Sequence, residues 1–213
     1  MGCDIHAYIE KYSDLDSVMD PSAAYVDCVA HNIGLGRDYT LFGLIANVRS
    51  MVSAPRSAKG IPTQPALSYE VANEYYLSIS ASPVPSFVGK NVISREQAEQ
   101  YIEQYGLTYA NKEQTKIQYP HWHSATHLTL EEMMSVRKDY LIEVISYENE
   151  LSGKSRKQML DFIKPKTPES LMRYSFPGSD SPVLYASIKM MQAIEQSSEH
   201  GDLKTRFVCW FDS

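Results

Sequence analysis

The chain has 213 residues, of which 43% are hydrophobic and 22% charged, and its formal net charge is −6. This length and composition predict one globular domain over residues 1–213, with an additional, partly basic segment at 149–181 that leaves the main body. A negative net charge gives no field that attracts a phosphate backbone, which argues against non-specific nucleic-acid binding. No apolar run approaches the roughly 18 residues of a membrane span, so we expect no membrane insertion.

The three cysteines, Cys3, Cys28 and Cys209, are an odd number at wide spacing. Such usage fits a reducing compartment better than a disulfide framework, and it matches no cysteine-rich zinc motif. Because the first twenty residues do not read as a basic and then apolar signal segment, we expect a cytoplasmic location. The composition is compatible with a homo-oligomer.

The first ten residues predict a half-buried β-strand with reactive groups on one face. In Cys3–Glu10, apolar and polar residues alternate at period two, as they do along a strand with one buried face. Asp4 and His6 then point the same way, roughly 6.6 Å apart along the strand. A carboxylate and an imidazole at that separation can share a metal ion or act as an acid–base pair. Cys3 points to the apolar side, which favours a core position for it over a nucleophile.

Four amphipathic helices follow in chain order, each with a recognisable N-cap. The apolar faces of the first two helices cover Leu41–Val52, with Asp38 or Thr40 as the N-cap, and Ala98–Tyr105, with Ser94 and Gln97 as a capping box and Gly106 at the end. Those of the last two cover Leu130–Ile145, with Thr129 and Glu132 as a capping box, and Leu184–Ile194, which begins at Ser181-Pro182. Ser, Thr or Asp at these positions accepts a hydrogen bond from a free backbone N–H group of the first turn. Residues 53–67 and 81–89 are rich in proline and glycine, which predicts loops.

The last segment, Thr205–Phe211, is apolar on both faces and rich in aromatic residues. This composition predicts a central strand. Together with the strand at the start of the chain, it indicates an α+β fold, with a mixed or antiparallel sheet that includes both terminal strands and is covered by amphipathic helices.

Two basic positions suit an anionic ligand. Arg37 follows Gly34 and Gly36 just ahead of a helix, where backbone N–H groups and a guanidinium together favour a phosphate or carboxylate. An ordinary turn before a capped helix is the alternative. Lys59 stands beside Gly60 in a predicted loop and can reach an anion as a flexible point charge, whereas a solvated lysine is the alternative for it.

Half of the six histidines lie in one short segment, as His121, His123 and His127. In an extended conformation His121 and His123 share a face. With Asp4 and His6 they would form a nitrogen-rich set of ligands for a divalent metal. The alternative is that these histidines are surface or capping residues ahead of the helix.

Five blocks of the sequence resemble one family. They are Met1–His6, Arg37–Phe42, Lys59–Pro62, His123-Ser124 with Leu128–Leu130, and Val208–Asp212. In this order they resemble the mostly uncharacterised bacteriophage and prophage proteins that open with Met-Gly-Cys-Asp-Ile-His. The chain departs from that pattern at Lys59, where an arginine is expected, and at Thr63-Gln64, where acidic residues are usual.

The resemblance implies a site that excludes His121 and His127. The residues it favours are Asp4, His6, Arg37, Tyr39, His123 and Ser124. A phage accessory protein with a polar pocket invites comparison with viral proteins that cleave or sequester nucleotide signals of bacterial immunity.

Two functions of different classes follow. In a hydrolase, Asp4, His6 and His123 hold a divalent metal (zinc, manganese or magnesium) or an activated water. Ser124 or Tyr39 then orients the substrate, and Arg37 with Lys59 neutralises a phosphate. In a binding protein, the same groups grip a nucleotide without cleaving it, and stacking on Tyr8, Tyr39 or Trp122 supplies much of the affinity. A protein interface on the polar face is a third reading.

Overall fold

The computed structural model describes residues 3–13, 25–49, 51–80, 91–147 and 153–212. Their strands are β1 (Ile5–Ser13), β2 (Val26–Ala30), β3 (Tyr76–Ser80), β4 (Val92–Ser94), β5 (Lys116–Gln118), β6 (His123–Thr129) and β7 (Leu203–Phe211). Their helices are α1 (Tyr39–Ala46), α2 (Tyr69–Tyr75), α3 (Arg95–Tyr105), α4 (Leu130–Tyr147), α5 (Gly153–Ile163), α6 (Pro168–Leu171) and α7 (Pro182–Gln196). No helix of this described part combines the length and the apolar character needed to cross a bilayer.

The main sheet joins the two ends of the chain. It is antiparallel with the strand order β2-β1-β7-β6. The strands β1 and β7 pair along their whole lengths, from Ile5 opposite Phe211 to Ser13 opposite Leu203. The prediction of an α+β fold whose sheet includes both terminal strands is therefore confirmed, and β7 is a central strand as expected.

One face of this sheet is covered by the helices α1, α4 and α7. The sheet contributes Ala7 and Ile9 from β1 and Phe207, Cys209 and Phe211 from β7, and the helices contribute aliphatic side chains such as Leu44 and Ile188, all of them fully buried. Burial of this kind contributes roughly 25 cal/mol per Å² of apolar surface removed from water. This layer is the larger hydrophobic core, and it holds β1 and β7 in register.

The opposite face of the sheet is also covered, which corrects the predicted polar face of the first strand. Tyr8 and Glu10 are 1% and 0% exposed, because α2 and the segment before it pack over them. Glu10 forms an ion pair with Arg206, directly across the sheet on β7. Of the predicted polar row, His6 and the preceding Asp4 remain in contact with solvent.

A second, smaller sheet was not expected from the sequence. It has the order β4-β3-β5, with β3 parallel to β4 and antiparallel to β5. Its core includes Leu77, Ile93 and Ile117, on which Ala98 of α3 packs. Strands of three to five residues carry too few alternating positions to stand out in a sequence.

The predicted helix starts are confirmed by their hydrogen bonds. Asp38 caps α1 by accepting from Leu41 N at 3.0 Å, Ser94 and Gln97 form a complete capping box, Thr129 and Glu132 form a second one, and Ser181 caps α7. The predicted end of α1 at Val52 is wrong. The helix stops at Ala46 because Asn47 adopts a left-handed conformation (φ 57°), which ends the helical hydrogen bonding.

The segment predicted to leave the main body at 149–181 includes residues 149–152, which lie outside the described part. From Gly153 onward it packs on α4 through a cluster that includes Leu141, Ile163 and Leu171. Arg137 of α4, 1% exposed, pairs with Asp180 and donates to the carbonyl oxygen of Leu171 at 3.0 Å. The buried guanidinium thus ties this segment to the longest helix. Residues 53–67 have no regular structure, as predicted, and the predicted loop at 81–89 lies outside the described residues.

Candidate functional site

An open cleft of about 520 Å³ lies at the end of the main sheet where β1 begins and β7 ends. Eight residues line it: Asp4, His6, Glu74, Asn91, Tyr119, His121, Trp122 and Asp212. They come from β1 and its approach, the end of α2, the start of β4, the connection between β5 and β6, and the residue after β7. The cleft therefore forms only when both termini and the second sheet are in place.

The segments of Asp4 and Asp212 are hydrogen-bonded to each other in the cleft. Asp4 N donates to Asp212 Oδ1 at 3.0 Å, and Asp212 N donates to the carbonyl oxygen of Asp4 at 3.2 Å. The second carboxylate oxygen of Asp212 lies 3.3 Å from His6 Nε2. Asp212 thereby links the backbone at the start of β1 to the imidazole, and it fixes the orientation of the His6 ring.

His6 contacts two tryptophans, which also contact each other. Its ring stacks on Trp210 with a centroid distance of 5.9 Å and an interplanar angle of 12°, and it is 5.4 Å from Trp122. Its side chain is still 31% exposed. The ring therefore packs against the tryptophan pair, and its exposed part can meet a ligand or a water molecule.

The aromatic layer continues on both sides of His6. Trp122 stacks on Tyr119 at 4.8 Å, and Trp210 stacks on Tyr8 at 4.9 Å in the interior. Trp210 is fully buried, and its indole N–H has no hydrogen-bond partner among the described residues. Tyr119 and Trp122 therefore form an aromatic stack that lines the cleft, and Trp122 rests in turn on Trp210.

Arg37 is bound to Asp4. Its Nε and Nη2 atoms donate to the two carboxylate oxygens of Asp4 at 2.6 and 3.1 Å. The hydrogen bond from Arg37 lowers the pKa of the Asp4 carboxyl below its ordinary value of 3.8. The N-terminus of α1, which follows Arg37, is likewise bound by a side-chain carboxylate, because Asp38 caps this helix. The predicted anion site at the start of α1 is thus occupied by side chains of the protein itself.

His123 is not part of the cleft. It lies opposite Phe211 on β7, and its ring stacks on that phenylalanine, whereas His6 lies opposite Trp210. Neighbouring residues of a strand point to opposite faces, so His6 and His123 are on opposite sides of the sheet. Among the described residues, no group of three or more His, Cys, Asp or Glu side chains is placed to hold a metal ion. The structure does not bring the predicted ligands Asp4, His6 and His123 together.

Ser124 follows in a bulge of β6 and has a left-handed backbone with φ 50°. Its hydroxyl oxygen lies 3.0 Å from His123 Nδ1. This local pair is at the same end of the sheet as the cleft, but neither residue lines it.

The remaining predicted ligand residues have other positions. Tyr8 is buried, donates to Asn32 Oδ1 at 3.2 Å, and has a raised pKa because of its burial. Tyr39 lines a different pocket of about 370 Å³ beside Arg49. Lys59 forms an ion pair with Glu132 at the start of α4. Of the residues that the sequence suggested for the site, Asp4, His6, His121 and Trp122 line the cleft, and Arg37 is bound to Asp4 at its rim.

Three lining residues, Glu74, Asn91 and Tyr119, lie in no predicted motif, and Asp212 ends the Val208–Asp212 block without having been predicted as a site residue. The sequence signal that pointed to this place was the aromatic and histidine-rich segment containing His121 and Trp122. No protein-family model matches the chain, and no solved structure was found to match it.

Proposed function

We propose that this protein binds a nucleotide in the cleft and hydrolyses one of its phosphoester bonds, with His6 as the general base. One observation carries the proposal: His6 is held by Asp212 and by two tryptophan rings, yet an edge of its ring remains open to the cleft. An imidazole oriented by a carboxylate and accessible to ligand is the usual arrangement for proton transfer.

The roles of the residues follow from the hydrogen bonds. With its hydrogen on Nε2, His6 donates to Asp212, and Nδ1 is then free to accept a proton from water. The water oxygen attacks phosphorus, the ester P–O bond breaks, and the proton on Nδ1 passes to the leaving oxygen. The guanidinium of Arg37 lies at the rim and offsets part of the negative charge that develops on the phosphate.

The predicted zinc, manganese or magnesium ion has no assembled ligand set among the described residues, because His123 lies on the other side of the sheet. No step of the proposed reaction therefore runs through a metal.

Binding without cleavage is the second candidate. The stacked pair of Trp122 and Tyr119 favours it, because base stacking on aromatic side chains is worth roughly 1–3 kcal/mol per base without any chemistry. The resemblance of the Met1–His6 motif to phage proteins supports a nucleotide signal of bacterial immunity as the ligand in either case, cleaved in the first and sequestered in the second.

The test is to incubate the protein with cyclic dinucleotides and ADP-ribose derivatives, with and without chelator, and to recover the small molecules after denaturation. We expect cleaved products that persist with chelator and fall by at least about a hundredfold in His6→Ala. His200→Ala, which changes an exposed histidine outside the cleft, is the matched control. Equal turnover by His6→Ala would contradict the mechanism, and recovery of intact ligand would favour sequestration.

A further inference from the structure

The cleft is unusually rich in hydrogen-bond acceptors. Three carboxylates line it, those of Asp4, Glu74 and Asp212, together with the side chain of Asn91. The amide nitrogen of Asn91 donates to the carbonyl oxygen of Asn73 at 2.6 Å, so its side-chain oxygen is the group left to accept. A ligand that fills this cleft must supply donors.

Glu74 is the acceptor that the fold leaves open. Asp4 is bound by Arg37, and Asp212 accepts from Asp4 N and His6. Glu74, at the exposed end of α2, makes no hydrogen bond or ion pair within the described residues. Its carboxylate lines the same cleft as the aromatic stack of Tyr119 and Trp122. A planar ring with an amino group at its edge can pack on these aromatic rings and donate a hydrogen bond to Glu74 at the same time.

The charges of the cleft work against a terminal phosphate. Three carboxylates face one guanidinium, that of Arg37, which is already paired with Asp4. A phosphate monoester carries up to two negative charges, whereas each phosphate of a diester carries one, so repulsion is stronger for the monoester. In an open cleft this repulsion is modest and is screened by salt.

We infer that the cleft recognises the amino-bearing nucleoside part of its ligand, with Glu74 accepting from the exocyclic amine and the base packing on the aromatic stack at Tyr119, and that it disfavours terminal phosphates. This inference rests on the proposed function and narrows its substrate to the internal phosphodiester of a nucleotide whose base carries an exocyclic amine, namely adenine, guanine or cytosine. The scissile phosphate then lies at the rim, beside Arg37 and His6.

Direct binding of neutral nucleosides tests this without any turnover. Adenosine, purine riboside (which lacks the amine) and AMP are titrated into the wild-type protein, with calorimetry and Trp fluorescence as readouts. We expect adenosine to bind about tenfold more tightly than purine riboside, the effect of one lost hydrogen bond to a charged acceptor. AMP should bind several-fold more weakly than adenosine, and the gap should shrink in about 0.5 M NaCl.

The matched variants are Glu74→Gln and Glu70→Gln, both on α2, of which only Glu74 lines the cleft. Glu74→Gln should bring the adenosine and purine riboside affinities close together and strengthen AMP binding, while Glu70→Gln should leave both unchanged. Equal wild-type affinities for adenosine and purine riboside, tighter binding of AMP, or no nucleoside binding would overturn the inference. Nucleoside binding with no cleavage of any nucleotide would instead refute the hydrolase and leave the recognition intact.

Discussion

Glu10 and Arg206 form a fully buried ion pair between β1 and β7, with Arg206 Nε 2.7 Å from Glu10 Oε2. The remaining groups of both side chains bind the segment before α2: Ser68 N donates to Glu10 at 2.7 Å, and Arg206 donates to the carbonyl oxygens of Pro65 and Ala66 at 2.6 Å each. The pair therefore fixes where α2 starts, and α2 carries Glu74 into the cleft.

Replacement of Arg206 by methionine should destabilise the protein by about 3–5 kcal/mol, because Glu10 is then left buried without a counter-charge. The free energy of unfolding in urea measures this. The control is Lys11→Met, which breaks the half-exposed pair with Asp27 and should cost no more than about 1 kcal/mol. Similar losses in the two variants would mean that Glu10 and Arg206 are not buried together.

Asp212→Asn should lower kcat at least about tenfold and change KM little, because an amide cannot stabilise the protonated His6 ring as a carboxylate does. Steady-state cleavage of the nucleotide found in the product screen is the measurement. Asp202→Asn changes an aspartate just before the opposite end of β7, whose carboxylate accepts from the Ser198 hydroxyl, and serves as the control. An unchanged kcat in Asp212→Asn would argue against the proposed role of the pair.

The pair of Asp4 and Arg37 should stabilise the protein only above acidic pH. The pKa of Asp4 is lower in the folded protein than its ordinary value of 3.8, because Arg37 donates to the charged carboxylate. The stabilisation that the pair contributes is complete at pH values above the ordinary pKa of Asp4. It is lost as the pH falls through the lower pKa of the folded state. Asp4→Asn should therefore be less stable than wild type at about pH 6, and the difference should shrink at about pH 2.

Urea unfolding at a series of pH values gives this difference. The same comparison in an Arg37→Gln background is the control, since the partner that lowers the pKa is then absent. A pH-dependent difference that survives in that background would show that another group is responsible.

The three cysteines should resist thiol reagents in the native protein. Cys3 and Cys209 are buried at 1% and 0% exposure, and burial together with the nearby Glu10 raises the pKa of the half-buried Cys28 thiol to about 11. At about pH 8, its thiolate fraction is then about a hundredfold below that of a free cysteine. Labelling with a chromogenic disulfide should be slow in buffer and complete for three thiols in guanidinium chloride. Rapid labelling of Cys28 in buffer would contradict this assignment.

The helix starts were predictable because each depends on neighbours in the sequence. Ser94 and Gln97, or Thr129 and Glu132, stand three residues apart and bond to each other's backbone whatever the rest of the chain does. The end of α1 was not predictable in the same way. Val48 continues the apolar spacing and is buried, but it follows the left-handed Asn47 and belongs to the turn after the helix.

The site was only partly predictable. The period-two pattern correctly placed Asp4 and His6 together at the start of β1, and the aromatic segment pointed to Trp122. The same pattern wrongly predicted that Tyr8 and Glu10 face solvent. Polar side chains of a strand can be buried when other parts of the chain supply their hydrogen-bond partners. For Glu10 these partners are Arg206 and Ser68.

Alternation and capping within the sequence thus determined the α+β class, the terminal strands and the helix starts, since these depend on contacts between residues close along the chain. The tertiary structure alone decided that the sheet is covered on both faces, that His6 and His123 lie on opposite sides of it, and that Glu74, Asn91 and Tyr119 meet Asp212 in one cleft. Strand pairing decides on which side of the sheet a residue lies, and packing brings together residues more than ninety positions apart. Neither leaves a local trace in the sequence.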